Sequence, residues 1–106
     1  MKKKTYFELN RSYLSLLRAL KPKSRTGLLK KASRGEINTL SEIADNTISG
    51  HVTQNPKLLN ELKKFKALLR LIAKKSTPKQ HKITLLTSKR GGTLLGLLLK
   101  AIGEFL

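Results

Sequence analysis

Apolar residues recur along this chain at steps of three and four positions, and proline or glycine interrupts the pattern at short intervals. One such run passes through Leu58, Leu62, Phe65, Leu69 and Ile72. This spacing places apolar side chains on one face of an α-helix. Leucine dominates the apolar residues and tryptophan is absent, which favours helix over sheet. The sequence therefore predicts an all-α fold, a small bundle of about four short helices.

The interruptions also predict where the helices begin and end. We expect a first helix over about 6–20, which Pro22 ends, and a short second helix with Ser24 as its N-cap. Gly35 is expected to stop the second helix. Gly50, in the left-handed conformation, is expected to terminate a third helix over 36–49. Asn55 and Pro56 form a typical N-cap and first position for a fourth helix, which is expected to continue until Pro78 closes it.

The helical pattern is lost between residues 76 and 92. Basic and polar residues alternate there, and Gly91 and Gly92 follow them. Adjacent glycines restrain the backbone little, so they predict a flexible joint. The last segment returns to an apolar helical pattern. The chain is therefore expected to consist of a basic helical domain (1–75), an exposed basic linker (76–92) and a short apolar C-terminal helix (93–106).

The charge balance points to a polyanionic partner. Lys and Arg number 23 against 6 Asp and Glu, a net charge of +17. Duplex DNA carries one negative charge per about 1.7 Å of axis, so roughly 30 Å of duplex would balance this excess. Because aromatic residues are few, we favour double-stranded DNA over a single-strand stacking platform. The residues predicted to contact phosphates are Lys2, Lys3, Lys4, Arg11, Arg18, Lys63, Lys64, Arg70, Lys74, Lys75, Lys79, Lys82, Lys89 and Arg90.

The same sequence argues against catalysis and against metal or cofactor chemistry. It has no cysteine, and His51 and His81 lie far apart with no neighbour at metal-ligand spacing. No nucleophile with a base, no pair of carboxylates and no phosphate-binding glycine loop is found. We expect no enzyme, no cofactor and no metal site. Neither a secretory signal nor a membrane span is expected, which favours the cytoplasm or nucleus.

The acidic stretch 35–55 admits two interpretations. Its carboxylates are expected to form ion pairs with basic neighbours of the same domain. Alternatively, residues 39–49 resemble the first helix and turn of a helix-turn-helix motif, which would make the chain a sequence-specific DNA binder. The recognition helix would then start near Ser49 or Gly50 and run through Pro56, although proline disrupts a helix interior.

The residues from Arg90 to Gly103 carry a family resemblance. Arg-Gly-Gly-Thr followed by a leucine-rich segment and Ala-Ile-Gly resembles the carboxyl-terminal part of the adenovirus core protein X (Mu) precursor family. The whole layout is similar to small basic late proteins of adintoviruses and Maverick-type elements. The resemblance implies a virion core protein that condenses the viral genome in the host nucleus. It also implies an adenovirus-type protease that cuts after Gly-Gly, between Gly92 and Thr93, although Lys89 stands where that protease prefers Met, Ile or Leu.

The apolar face of the C-terminal helix needs a partner. Candidates are the bundle itself, a capsid protein, a second copy of the chain, or an anionic membrane, because an apolar helix beside a cationic body resembles a membrane-surface anchor. A capsid-associated or membrane-active minor virion protein is therefore the alternative function. The residues predicted to make this tail interaction are Leu94, Leu95, Leu98, Leu99, Ile102 and Phe105.

Overall fold

Seven helices, with no strand, account for most of the residues that the structure describes, which are 10–50, 53 and 55–103 of a computed structural model. The all-α prediction is confirmed, and the predicted number of about four helices is wrong. The helices are α1 (Arg11–Ala19), α2 (Pro22–Lys30), α3 (Arg34–Ile48), α4 (Pro56–Lys63), α5 (Lys66–Ala73), α6 (Lys79–Thr87) and α7 (Lys89–Ile102).

Pro22 starts α2, so the prediction of Ser24 as the N-cap is wrong. Lys21 is extended and serves as the N-cap, and Pro22 occupies the first helical position. Proline suits that position because its fixed φ is helical and its missing N–H is not needed there. A break between α1 and α2 at this proline is confirmed.

A capping box starts α3 two residues earlier than expected. The backbone N–H of Glu36 donates to Ser33 Oγ (3.1 Å), and the N–H of Ser33 donates to Glu36 Oε1 (2.9 Å). These reciprocal bonds satisfy two donors that a helix start otherwise leaves unpaired. Gly35 consequently lies inside α3 and does not stop α2 as predicted. Gly50 has a φ of +78°, which confirms the predicted left-handed cap.

The predicted fourth helix is two helices, α4 and α5. Its start is confirmed, because Asn55 Oδ1 accepts from the N–H groups of Lys57 (3.0 Å) and Leu58 (3.3 Å). The regular hydrogen bonding of α4 ends where the N–H groups of Lys64 and Phe65 donate to carbonyl oxygens three residues back in the chain instead of four. This tight turn separates two helices that both bury their leucine and isoleucine faces in the core.

The predicted exposed linker is largely helical. Residues 79–87 form α6, with Ile83 and Leu86 buried, and Ser88 caps α7 immediately afterwards. Gly91 and Gly92 lie in the first turns of α7, so they are not a flexible joint. A Cβ at position 91 would overlap the carbonyl oxygen of Leu85. Glycine is needed at this position because α7 passes close to the backbone of α6.

The apolar face of α7 lies in the core, packed against α1, α4 and α6, while α3 packs along α5. The bundle is therefore the partner of this face. Phe105 lies outside the described residues. The other residues predicted for the tail interaction are all buried: Leu94, Leu95, Leu98, Leu99 and Ile102. Because α7 completes the core of the bundle, the C-terminal helix is not a separate anchor.

Candidate nucleic-acid interface

The cations of the described chain have almost no internal counter-charge. The described residues include 20 Lys and Arg but four Asp and Glu, and nearly all of the cations are exposed. None of these four carboxylates forms an ion pair with a described lysine or arginine. The expectation that the acidic stretch pairs with basic neighbours is therefore wrong for this part of the chain. Glu36 instead accepts the N–H of Ser33.

Exposed positive charge is spread over most of the described molecule, and helices α3 and α6 depart from this pattern. Helix α3 carries Glu36, Glu42 and Asp45, and its one basic residue is Arg34 at its first position. Five of the other six helices in the described ranges present exposed lysine or arginine, whereas in α6 Lys79 is half-buried and Lys82 is buried. A polyanion is therefore attracted to most of the surface and repelled from the exposed side of α3.

Three distant segments bring cations together around the start of α7. Arg90 Nη2 donates to the carbonyl oxygen of Lys64 (3.2 Å), and its guanidinium lies 5.1 Å from the centroid of the Phe65 ring. Lys23 and Lys89 line an open groove of about 340 Å³ between the starts of α2 and α7. Lys23, Lys64, Lys89 and Arg90, here named the basic cluster, are all exposed.

The start of α7 adds a favourable field for anions. Ser88 Oγ accepts the N–H of Gly91 (3.0 Å), while the N–H groups of Lys89 and Arg90 have no acceptor within the described chain. The positive end of a 14-residue helix dipole lies at this point. Phosphate oxygens approaching the basic cluster can therefore meet both ammonium groups and free backbone donors.

The remaining predicted phosphate contacts are dispersed. Lys2, Lys3 and Lys4 lie outside the described residues. Lys63 lies next to the cluster at the end of α4, and Arg18 on α1 has its guanidinium beside Gly103. The residues exposed elsewhere on the surface are Arg11, Arg70, Lys74 and Lys75.

Two predicted contacts, Lys79 and Lys82, are engaged within the fold. The half-buried Lys79 donates from Nζ to the carbonyl oxygen of Ala32 (3.1 Å). Lys82 is 4% exposed and donates to Ser41 Oγ (2.7 Å). Burial lowers the pKa of the Lys82 ammonium. The prediction that Lys82 contacts phosphates at the surface does not fit this placement.

Sequence reasoning missed Lys23 in the basic cluster. Lys23 sits in a short stretch after Pro22 with no pattern of its own, and only the packing of α2 against α6, which puts the starts of α2 and α7 on one groove, brings it to the cluster. Its positive charge is the sole signal in the sequence. The neighbouring Arg25 has a structural role, because its guanidinium donates to the carbonyl oxygens of Leu17 (2.7 Å) and Arg18 (3.3 Å) at the end of α1.

The bond between Gly92 and Thr93, the predicted cleavage site, lies inside α7. Gly91 is buried against Leu85, while Thr93 is exposed. A protease must bind its substrate as an open strand, so cleavage here would require the first turns of α7 to unfold locally.

The helix-turn-helix hypothesis does not match the helix boundaries. The recognition helix was expected to run from Ser49 or Gly50 through Pro56, but Pro56 is the first residue of α4. Seven residues separate α3 from α4, more than the three or four of the motif. That hypothesis is wrong in the position of its second helix.

The described ranges hold neither a metal site nor a helix that could span a membrane. No cluster of His, Asp and Glu there is arranged to hold a metal ion. No helix there has the length and apolar character needed to cross a membrane. No protein-family model, curated protein or solved structure matches this chain.

Proposed function

We propose that this protein binds double-stranded DNA through the phosphate backbone, without sequence preference, and condenses a viral genome in the virion core. The observation that carries the proposal is the exposed positive charge that no described carboxylate pairs with. Surfaces that serve only solubility mix both signs of charge. A one-sided excess is instead suited to displacing the counterions that surround a nucleic acid.

The net charge of the chain can be compared with the charge of the length of duplex that one molecule would cover. A duplex segment as long as the shortest dimension of the chain, 29 Å, carries about 17 phosphate charges. The net charge of the chain is +17. Side-by-side chains would therefore bring about as much positive charge as the DNA beneath them carries, although each chain contacts only part of those phosphates directly, and this charge balance favours condensation over occupancy of isolated sites.

The absence of sequence preference follows from the kind of contact that the surface offers. Lysine and arginine contacts to phosphates fix the position of a protein on DNA without reading bases. The basic cluster is formed by the starts of α2 and α7 and by the turn between α4 and α5. We expect the cluster to anchor the duplex and the other exposed cations to add weaker contacts.

The virion setting, with assembly in the host nucleus, rests on the resemblance of residues 89–103 to the core protein X precursor family. The proposal of DNA binding does not depend on this resemblance. The two parts of the proposal can therefore be tested separately, and the binding experiment comes first.

The experiment is a salt titration of binding to two unrelated duplexes. With about six to eight phosphates engaged, log affinity against log salt should fall with a slope near −5 to −7. The two duplexes should bind almost equally. A slope shallower than about −2, or a strong preference for one duplex, would refute non-specific phosphate binding.

A matched pair of variants tests the basic cluster. Changing Lys23, Lys64 and Lys89 together to Gln should reduce the slope by about 3, because each phosphate contact contributes about 0.9. The control changes three exposed lysines outside the cluster, Lys30, Lys57 and Lys100, and removes the same charge. We expect a smaller loss in the control. Equal losses would mean that the cluster has no special role.

A further inference from the structure

An open groove of about 250 Å³ lies between the end of α3 and the segment that runs from α4 into α5. The α3 wall of this groove carries Ile48, and the opposite wall carries Leu59 and Leu69 together with Lys63 and Lys66. No described carboxylate and no residue of the basic cluster lines it. The groove, here named the α3–α5 groove, is therefore largely apolar and has positive charge on one side only.

Ile48 adds exposed apolar surface to the rim of the α3–α5 groove. Its side chain is 37% exposed, although the rest of the apolar face of α3 is buried. The described ranges contain two other exposed large apolar side chains, Leu16 and Leu71, and neither lines this groove. Apolar surface beside a concavity, with polar groups around it, is typical of surfaces that a protein partner covers.

The α3 wall carries the opposite charge to the wall across the groove. Asp45 lies three positions before Ile48, so these two side chains are neighbours on the surface of α3. The Asp45 side chain is exposed and forms no ion pair with a described lysine or arginine. Lys63 and Lys66 are exposed as well. An acidic edge and a basic edge therefore lie on either side of one apolar groove.

Because its two walls are complementary in charge, this surface is complementary to a second copy of itself. Two copies related by a two-fold axis along the groove would each place their α3 wall against the lysine wall of the other. A two-fold axis across the groove would instead bring Asp45 of both copies together, and like charges repel. Contacts in which the same surface of both subunits is used are the commonest in homo-oligomers.

We propose that a second copy of this chain packs on the α3–α5 groove, with Asp45 of each copy beside Lys63 and Lys66 of the other and with Ile48 covered. A second copy fits better than a purely acidic partner, because Asp45 would repel an acidic partner. The exposed side of α3 also repels a polyanion, so bound DNA leaves this wall free for another chain.

Long-range repulsion between two chains of net charge +17 opposes this pairing at low salt. Salt at 0.5 M shortens the Debye length to about 4 Å, which screens this repulsion more than it weakens charges in direct contact. A DNA duplex would also balance the charge of the chains, so pairing would link neighbouring chains during condensation. This consequence rests on the proposed function, whereas the pairing itself does not.

The test is sedimentation equilibrium of the full chain, without DNA, in 0.5 M sodium chloride at protein concentrations up to about 1 mM, which detects weak contacts. We expect the average mass to rise toward twice that of one chain. Ile48→Asn should weaken pairing about tenfold, because it removes apolar surface from both copies. Leu71→Asn is the matched control, since Leu71 is 40% exposed and does not line the groove. A constant monomer mass, or equal weakening by both variants, would overturn the proposal.

Exchanging the charges tests the arrangement of the two walls. Asp45→Lys places lysine against lysine, and the double variant Lys63→Glu/Lys66→Glu places glutamate against Asp45, so each should remain monomeric alone. The double variant has a lower net charge than the unaltered chain, so a general charge effect predicts stronger association for it. Mixing the two variants should restore pairing, because both contacts of the mixed dimer then join opposite charges. Association of the double variant alone, or none in the mixture, would overturn the arrangement.

Circular dichroism checks the fold of each variant, and the charge exchange at exposed positions decides the question if Ile48→Asn does not fold. Because pairing is measured without DNA, its failure leaves the proposed duplex binding intact. A failure of duplex binding likewise leaves the pairing intact, so the two failures are distinguishable.

Discussion

Replacing Gly91 by alanine tests the close contact that holds α7 against α6. The added Cβ would overlap the carbonyl oxygen of Leu85 and lie 2.6 Å from its carbonyl carbon and 2.9 Å from Ser88 Oγ. The carbonyl group cannot turn away easily, because Ser88 Oγ donates to the same oxygen (2.6 Å). The start of α7 would have to move away from α6.

The cost of this movement exceeds the gain in helix propensity. Overpacking of a filled site typically costs about 1–3 kcal/mol, and occasionally more, while alanine gains up to about 1 kcal/mol over glycine inside a helix. Because this overlap is with backbone, we expect the free energy of unfolding to fall by about 2 kcal/mol or more. The melting temperature should fall by about 8 °C or more, at about 4–8 °C per kcal/mol.

Gly92→Ala is the matched control for Gly91→Ala. A Cβ at position 92 would meet no atom within 4 Å, so the variant keeps the packing and gains helix propensity. We expect an increase in the free energy of unfolding of about 0.5–1 kcal/mol. Urea denaturation followed by far-ultraviolet circular dichroism measures both changes. A flexible joint would tolerate both alanines alike, so shifts of the same sign and size would refute the packed contact.

Three other substitutions test the core and the helix caps. Burial, and secondarily Glu36, raise the pKa of Tyr13 to about 12, and its buried hydroxyl has no hydrogen-bond partner among the described residues. The unfolded chain therefore loses this proton at lower pH than the folded chain, and the free energy of unfolding should fall by about 2–3 kcal/mol between pH 10 and 12. Tyr13→Phe should abolish this fall and raise the free energy of unfolding by about 1 kcal/mol at pH 7. Urea denaturation at pH 7 and at several values between pH 10 and 12 would measure both changes, and a pH profile identical to that of the unaltered chain would refute the raised pKa of Tyr13. Leu98 is 1% exposed, so Leu98→Ala should lower the free energy of unfolding by about 2–5 kcal/mol, as thermal melting would measure. The control Lys100→Ala, at an exposed position, should change it very little, and equal losses would mean that α7 is not in the core. Ser33→Ala should cost about 1 kcal/mol by breaking the capping box, and unchanged urea denaturation would show that the box contributes nothing.

Several features of this fold could be predicted from neighbouring residues alone. Leucine at three- and four-residue steps is enough to predict a helix, because the pattern depends only on the geometry of that one helix. Asn55 and Pro56 begin α4 as expected, and Gly50 has the left-handed backbone that a helix end requires. The excess of positive charge is likewise a property of composition.

Helix α6 could not be found in this way because its buried side is not purely apolar. Lys82 is buried beside Ile83 and Leu86, so the charge pattern of the segment resembles an exposed linker. The break within the predicted fourth helix was missed for a related reason. The apolar spacing continues through Phe65, and only the packing of both halves into one core requires the chain to bend there.

The sequence by itself determined that this chain is helical, that its helices are short and that its surface is basic, because each of these properties follows from residues close together in the chain. The tertiary structure alone decided that Gly91 serves a close backbone contact, that the leucines of α7 are core, and that Lys23, Lys64 and Arg90 meet at one place. These outcomes depend on contacts between residues far apart in the chain, and no local pattern encodes which surfaces will meet.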